Sequence, residues 1–196
     1  MDCENSFDDL VEKAVVFALK AHSGMKRKAG EQPYITHPFE VMCIASTMTD
    51  DPEVLAAALL HDVAEDTDHT LGEIYSLFGT KVGDLVKSET EDKMRQTDPS
   101  ESWLTRKQRA LEEFGRTDDI SVKILWLSDK LSNMRSLRTA QFRLGGSLWD
   151  NFNQKDPKMH LWYHSRVAEL TSGLSDTAAW QEYTDLIRKV FGGIDG

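Results

Sequence analysis

Apolar residues return along this chain with the spacing of a helix. Phe7, Leu10, Val11, Ala14, Phe17, Ala18 and Ala21 fall at i, i+3, i+4, i+7, i+10, i+11 and i+14, a stripe that faces a core. Gly24 and the basic Lys26-Arg27-Lys28 stand where that helix stops, and Gly30 and Pro33 mark a loop. A second helix is expected from Pro38, since proline suits a first helical turn, with Thr36 or His37 as its cap. A third is expected over about residues 51–64, through Val54, Leu55, Ala58 and Leu59. Helices over 71–78 and 80–92 meet at Gly79-Thr80, and the polar stretch 94–102, with Pro99, reads as a loop. Helices follow over about 103–114 and 119–138, the latter paced by Ile120, Ile124, Leu127, Leu131 and Met134. Residues 141–156 contain Gly145-Gly146 and read partly as loop, and two closing helices are expected near 157–172 and 176–191. No internal repeat, low-complexity tract or linker divides the sequence. The expectation is one all-α domain of about ten helices over residues 1–196, its motif-bearing part about 7–192.

Composition narrows the function. Hydrophobic residues make up 40% and charged residues 29%, ordinary for a soluble globular protein. The acidic start MDCENSFDDL lacks a signal-peptide pattern, and no stretch approaches the roughly 20 apolar residues of a membrane helix. Cys3 and Cys43 form no metal-ligand or redox pattern, so reduced thiols in a cytoplasmic protein are expected. A net charge of −10 argues against nucleic-acid binding, which needs clustered Lys and Arg. It leaves room for a small anionic substrate met by local positive charge. Lys26-Arg27-Lys28 and the group Lys93, Arg95, Arg106, Lys107 and Arg109 are the places for it, although such runs are usually solvated faces.

The chemistry concentrates in LLHDVAED, residues 59–66. His61, Asp62, Glu65 and Asp66 follow directly on an apolar run and would be costly to bury unless paired or bound to a cation. A solvated acidic cap explains them poorly, because carboxylates at a helix C-terminus oppose the macrodipole. Imidazole and carboxylate together suit Mn²⁺, Fe²⁺ or Zn²⁺. His37, in the Pro-flanked PYITHPFE, and Asp129, which interrupts the apolar ILWLSDKLSNM, could complete such a site. Asn133 and Ser136 continue the Asp129 face at i+4 and i+7, as a lined pocket or as an ordinary amphipathic face, since Lys130 and Ser132 are also polar.

These stretches resemble a known pattern. A distant His, an adjacent His-Asp pair and a later Asp are the ligand set of the HD superfamily of metal-dependent phosphohydrolases. The stretches 21–38, 57–79, 89–93 and 127–137 are similar in detail to the hydrolase domain of RelA/SpoT proteins, and closer still to the stand-alone small alarmone hydrolases. The resemblance implies an HD-domain helical bundle that removes the 3′-pyrophosphate of (p)ppGpp. It implies His37, His61, Asp62 and Asp129 as ligands of one divalent metal, most often Mn²⁺ in this family, with Zn²⁺ or Fe²⁺ as alternatives. Glu65 and Asp66 match the pair that orients or deprotonates the attacking water. Arg27 and Lys28 match residues near base and phosphates, Asn133 and Ser136 match the nucleoside pocket, and Lys93 stands ready to draw in phosphate.

Lys130 stands where Arg is commoner and Ser132 where His or Tyr is frequent, both expected to lie between the working residues. His22 fits the pattern as a packing residue. Arg106, Lys107 and Arg109 are left as a solvated face. Trp149, Phe152 and Trp162 read as core packing rather than a lid. With no domain following before Gly196, hydrolysis rather than synthesis is implied. The rival readings are an HD hydrolase of another nucleotide, such as ppApp or NADPH, and a non-catalytic nucleotide-binding regulator. The expected partner is a small nucleotide, with no nucleic acid and no membrane; a homo-oligomer is compatible with the sequence.

Overall fold

The computed structural model describes residues 5–27, 32–91 and 98–193, with side chains from Leu10 onward. The helices are α1 (Asn5–Ala21), α2 (Thr36–Ala45), α3 (Pro52–Leu60), α4 (Val63–Asp66), α5 (Leu71–Phe78) and α6 (Thr80–Glu89). They continue as α7 (Pro99–Phe114), α8 (Ile120–Leu144), α9 (Pro157–Leu170) and α10 (Ala178–Phe191), with 3₁₀ turns at Gly145–Asn151 and Ser172–Leu174. Among the described residues there is no strand, only a bridge pair between Lys26 and Pro33 that closes the loop before α2. The protein is an all-α bundle.

Two helices form its interior. In α3, Ala56, Ala57, Ala58, Leu59 and Leu60 have no solvent exposure, and a helix apolar on every side belongs in the middle of a protein. Helices α1, α2, α6 and α8 pack around it. Helix α8 is the second axis: Leu125, Leu127, Leu131 and Met134 are fully buried, and α2, α6, α9 and α10 pack on it. Each such buried side chain stabilises the fold by about 1.5–3 kcal/mol through area removed from water. The candidate ligands His37, His61, Asp62 and Asp129 come from α2, from the end of α3 and from α8.

Helix starts follow a local rule. At Asp51-Pro52, Asp98-Pro99 and Asp156-Pro157 the Asp side chain accepts a backbone N–H of the first turn, and the proline occupies a position that needs no N–H acceptor. The expected loop 94–102 therefore gives way to α7 already at Pro99. Thr70 and Glu73 form a capping box at α5.

Helix α6 ends at Glu89, short of the expected 92, and three other boundaries differ from expectation. Helix α2 begins at Thr36, because the turn at Pro33–Tyr34 winds into it and the His37 N–H bonds the Tyr34 carbonyl at 2.9 Å; no side chain caps it. His37 is thus held inside a helix rather than in a turn before one. The helix expected over 51–64 breaks after Leu60, where the ionisable residues begin and the His61 ring bonds the Ala58 carbonyl. Helix α8 runs six residues past 138 and stops at Gly145, whose φ of 55° suits glycine. Among the described residues no helix is long and apolar enough to cross a membrane.

Candidate metal centre

Four side chains from three parts of the chain converge where the end of α3 meets the middle of α8. His37 comes from the first turn of α2, His61 and Asp62 from the α3–α4 corner, and Asp129 from the middle of α8. His37 Nε2 lies 3.1 Å from Asp129 Oδ1 and 3.4 Å from Asp62 Oδ2. His61 Nε2 lies 3.0 Å from Asp62 Oδ2 and 3.7 Å from Asp129 Oδ1. One donor atom each from His37, His61 and Asp129 falls within 4.8 Å of the others, and all three residues are buried.

The group has the chemistry of a divalent-cation site. The Ala58 carbonyl can only accept, so His61 Nδ1 donates to it at 2.8 Å and the neutral ring keeps its lone pair on Nε2. That Nε2 is buried and makes no hydrogen bond among the described residues. Burial pushes the His61 imidazole down, but the carboxylates of Asp62, Asp129 and Glu89 outweigh it and hold it up at about 10. Burial likewise favours neutral carboxyls, yet Lys130 and the two imidazoles keep Asp129 far below the usual carboxylate range, and the imidazoles do the same for Asp62. The cluster keeps its acids charged and draws positive charge onto Nε2, a place that a proton or a metal can fill. The two compete, so metal affinity should fall with pH below 10, by about tenfold per unit for one displaced proton. Competition titrations between pH 6 and 8 check this; an affinity flat across that range contradicts it.

One of the two neighbouring carboxylates, Asp66, is joined to this centre through Tyr34. Tyr34 Oη lies 2.7 Å from Asp62 Oδ2 and 2.8 Å from Asp66 Oδ2, so one phenol spans the cluster and Asp66. Burial, and then the charges of those two acids, push the phenol far up, so it stays a hydrogen donor. Glu65 Oε2 accepts the backbone N–H of Glu91 at 3.2 Å. Tyr34 went unassigned in the sequence; its place in PYITHP was the available signal.

A group of hydrogen-bonded polar side chains adjoins the cluster. Arg27 donates to Asn133 Oδ1 at 3.1 Å and to Ser136 Oγ at 3.2 Å, and its guanidinium carbon lies 5.7 Å from the Tyr34 ring centre. Asn133 Nδ2 donates to Asp129 Oδ1 at 2.7 Å. Arg27, Asn133 and Ser136 are therefore neighbours, as a shared pocket requires. Lys28 and Lys93 lie outside the described residues.

Several side chains are placed otherwise than expected. Lys130 and Ser132 are not bystanders on α8. Lys130 Nζ bonds Asp129 Oδ2 and, at 3.1 Å, Glu89 Oε2, while Ser132 Oγ sits 2.8 Å from His37 Nδ1. Arg106 and Lys107 are not a solvated face: both pair with the half-buried Glu91, and Lys107 Nζ lies 4.9 Å from the Tyr163 ring centre. Helix α7 packs on α9, which turns that face inward; Arg109 remains exposed. Trp149, Phe152 and Trp162 pack against the core, as expected. His22 is buried with its ring 4.8 Å from that of Tyr34, and burial pushes its imidazole down towards the neutral form.

Comparison with known proteins points the same way. The HD domain family model matches residues 14–145. The bifunctional (p)ppGpp synthase/hydrolase SpoT of Escherichia coli K12 is 40% identical over 128 residues, 65% of this chain and 18% of that protein. A GTP pyrophosphokinase rsh of Brucella ovis is 31% identical over 186 residues, 92% of this chain and 24% of that protein. The chain thus spans about a fifth of the length of these curated relatives. The structure of a metazoan SpoT ortholog, described as hydrolysing ppGpp, superposes with a TM-score of 0.73 at 27% identity, covering 93% of this chain and 96% of that one. A Listeria monocytogenes EGD-e protein gives 0.68 at 32% identity, covering 82% and 97%.

Proposed function

The chain belongs to the HD domain family, in its RelA/SpoT-type branch, and from that premise we propose that it hydrolyses the 3′-pyrophosphate of (p)ppGpp, yielding GDP or GTP and pyrophosphate. The observation that carries the reading is the juxtaposition of a His/His/Asp cation site, Asp66 held beside it through Tyr34, and the Arg27–Asn133–Ser136 group. His37, His61, Asp62 and Asp129 would hold one divalent ion, Mn²⁺ in this proposal. When bound, such an ion neutralises phosphoryl charge and acidifies a water.

The chain's own residues do the rest. Glu65 and Asp66 accept the water proton as its oxygen bonds to phosphorus. The bond to the ribose 3′-oxygen breaks, that oxygen gains a proton, and pyrophosphate leaves. Tyr34 keeps Asp66 facing the centre. Arg27 exchanges its bonds to Asn133 and Ser136 for the nucleotide, and Lys28 and Lys93 add charge that draws in phosphate despite a net −10. The proposal also takes residues 1–196 as one domain acting in the cytoplasm on a small nucleotide.

Purified protein assayed with Mn²⁺ against ppGpp, pppGpp, ppApp and NADPH tests it. The two guanosine compounds are expected to be turned over with the highest kcat/KM. Inactivity on both, with turnover of ppApp or NADPH, would reassign the substrate, and binding without turnover would make the protein a regulator. Arg27→Ala is expected to raise KM for ppGpp about 10- to 100-fold, the value of a charged hydrogen bond, with a smaller change in kcat. An unchanged KM would remove Arg27 from the pocket.

A further inference from the structure

A chain of hydrogen bonds, buried at its inner end, runs from the cation site to the surface through groups that the proposed chemistry does not use. His37 Nδ1 lies 2.8 Å from Ser132 Oγ, and Ser132 Oγ lies 2.7 Å from Glu40 Oε2. Glu40 Oε1 in turn accepts from Arg135 at 3.1 Å, and Arg135 grips Glu182 of α10 through two bonds of 2.7 and 2.6 Å. The chain joins α2, α8 and α10, elements far apart in sequence.

Proton accounting gives this chain a direction. A carboxylate only accepts, and a hydroxyl has one hydrogen. Ser132 must spend its hydrogen on Glu40, so it can only accept from the imidazole. His37 therefore carries its proton on Nδ1, which leaves the lone pair on Nε2, the nitrogen 3.1 Å from Asp129 Oδ1. His61 reaches the same state by a different route, the Ala58 carbonyl. Ser132 has no solvent exposure and His37 3%, so no bulk water competes for the bond between them, while Glu40 is half-buried. Arg135 and Glu182 are more exposed; such a pair adds little stability, but it holds one oxygen of Glu40 and leaves the other for Ser132.

We infer that Ser132 and Glu40 are positioning residues, which fix the tautomer and ring orientation of His37 so that Nε2 is presented to the cation. The inference rests on the cation reading of the cluster and is independent of which nucleotide is hydrolysed. Outer partners of this kind typically change metal affinity about 10- to 100-fold.

The test is a Mn²⁺ titration of the substrate-free protein, followed by kcat at saturating Mn²⁺. Ser132→Ala is expected to weaken binding about 10- to 100-fold and to recover near wild-type kcat once metal is saturating, because all four ligands remain. Ser132→Thr, which restores the hydroxyl, is expected to restore affinity. Glu40→Gln should weaken binding less, since an amide oxygen still accepts from Ser132, and Glu182→Gln should leave it unchanged. Wild-type affinity in Ser132→Ala, or a loss in Ser132→Thr equal to that in Ser132→Ala, overturns the assignment. Wild-type protein that takes up no metal overturns the centre and the relay together, whereas metal uptake without ppGpp hydrolysis overturns only the proposed substrate.

Discussion

Asp129→Asn is expected to lower ppGpp hydrolysis by about 1,000-fold or more and to leave the purified protein without tightly held metal. Removing a Lewis acid forfeits several kcal/mol of transition-state charge stabilisation, and each 1.36 kcal/mol is tenfold in rate. Asp129 is the acid on which the cluster is organised. Its Oδ1 faces His37 Nε2 and accepts from Asn133, while its Oδ2 takes Lys130. Neutralising it removes a ligand and leaves the buried Lys130 ammonium with less negative charge beside it, so the site draws a cation less strongly. The asparagine keeps the volume, and unchanged far-UV circular dichroism would confirm the fold. Full metal content in this variant would mean that the ion sits elsewhere.

Glu65→Ala separates chemistry from binding. Its carboxylate accepts the Glu91 backbone N–H, and Glu65 is not one of the four proposed ligands, so metal content should stay at the wild-type level. Loss of a positioned base should lower kcat about 100- to 10,000-fold. Asp66→Asn should behave alike, with a smaller loss if Glu65 carries most of the proton transfer. The two measurements together, metal by elemental analysis and kcat by product release, distinguish a base from a ligand. A variant that lost metal along with activity would place Glu65 in the coordination sphere.

Much of the architecture was legible because it is local. The stripe from Leu10 to Ala21 and the periodic Ile124, Leu127 and Leu131 mark α1 and α8 by their own spacing. Asp-Pro pairs mark the starts of α3, α7 and α9, and the reading of Pro99 as loop missed that its preceding Asp98 is a cap. The break after Leu60 was harder to see, since an apolar run gives no sign of where its buried axis ends. The chemistry divides in the same way. His61, Asp62, Glu65 and Asp66 announce themselves by being ionisable and adjacent to an apolar helix.

Ser132, Lys130, Tyr34 and Lys107 do not, because their roles depend on which distant segment they meet. Ser132 and Lys130 look like the polar side of an amphipathic helix until α2 and α6 are packed on α8. Lys107 looks solvated until Glu91 is brought beneath it. A serine or lysine takes on a function here from its neighbours, and those neighbours lie as much as 95 residues away.

The products formed from ppGpp by the Mn²⁺-loaded protein test the central claim most directly. Separation by ion-exchange chromatography is expected to show GDP and pyrophosphate in equal amounts, with activity lost on chelation and restored by added Mn²⁺. Orthophosphate release, a product still phosphorylated at the 3′ position, or turnover that survives complete metal removal would contradict it.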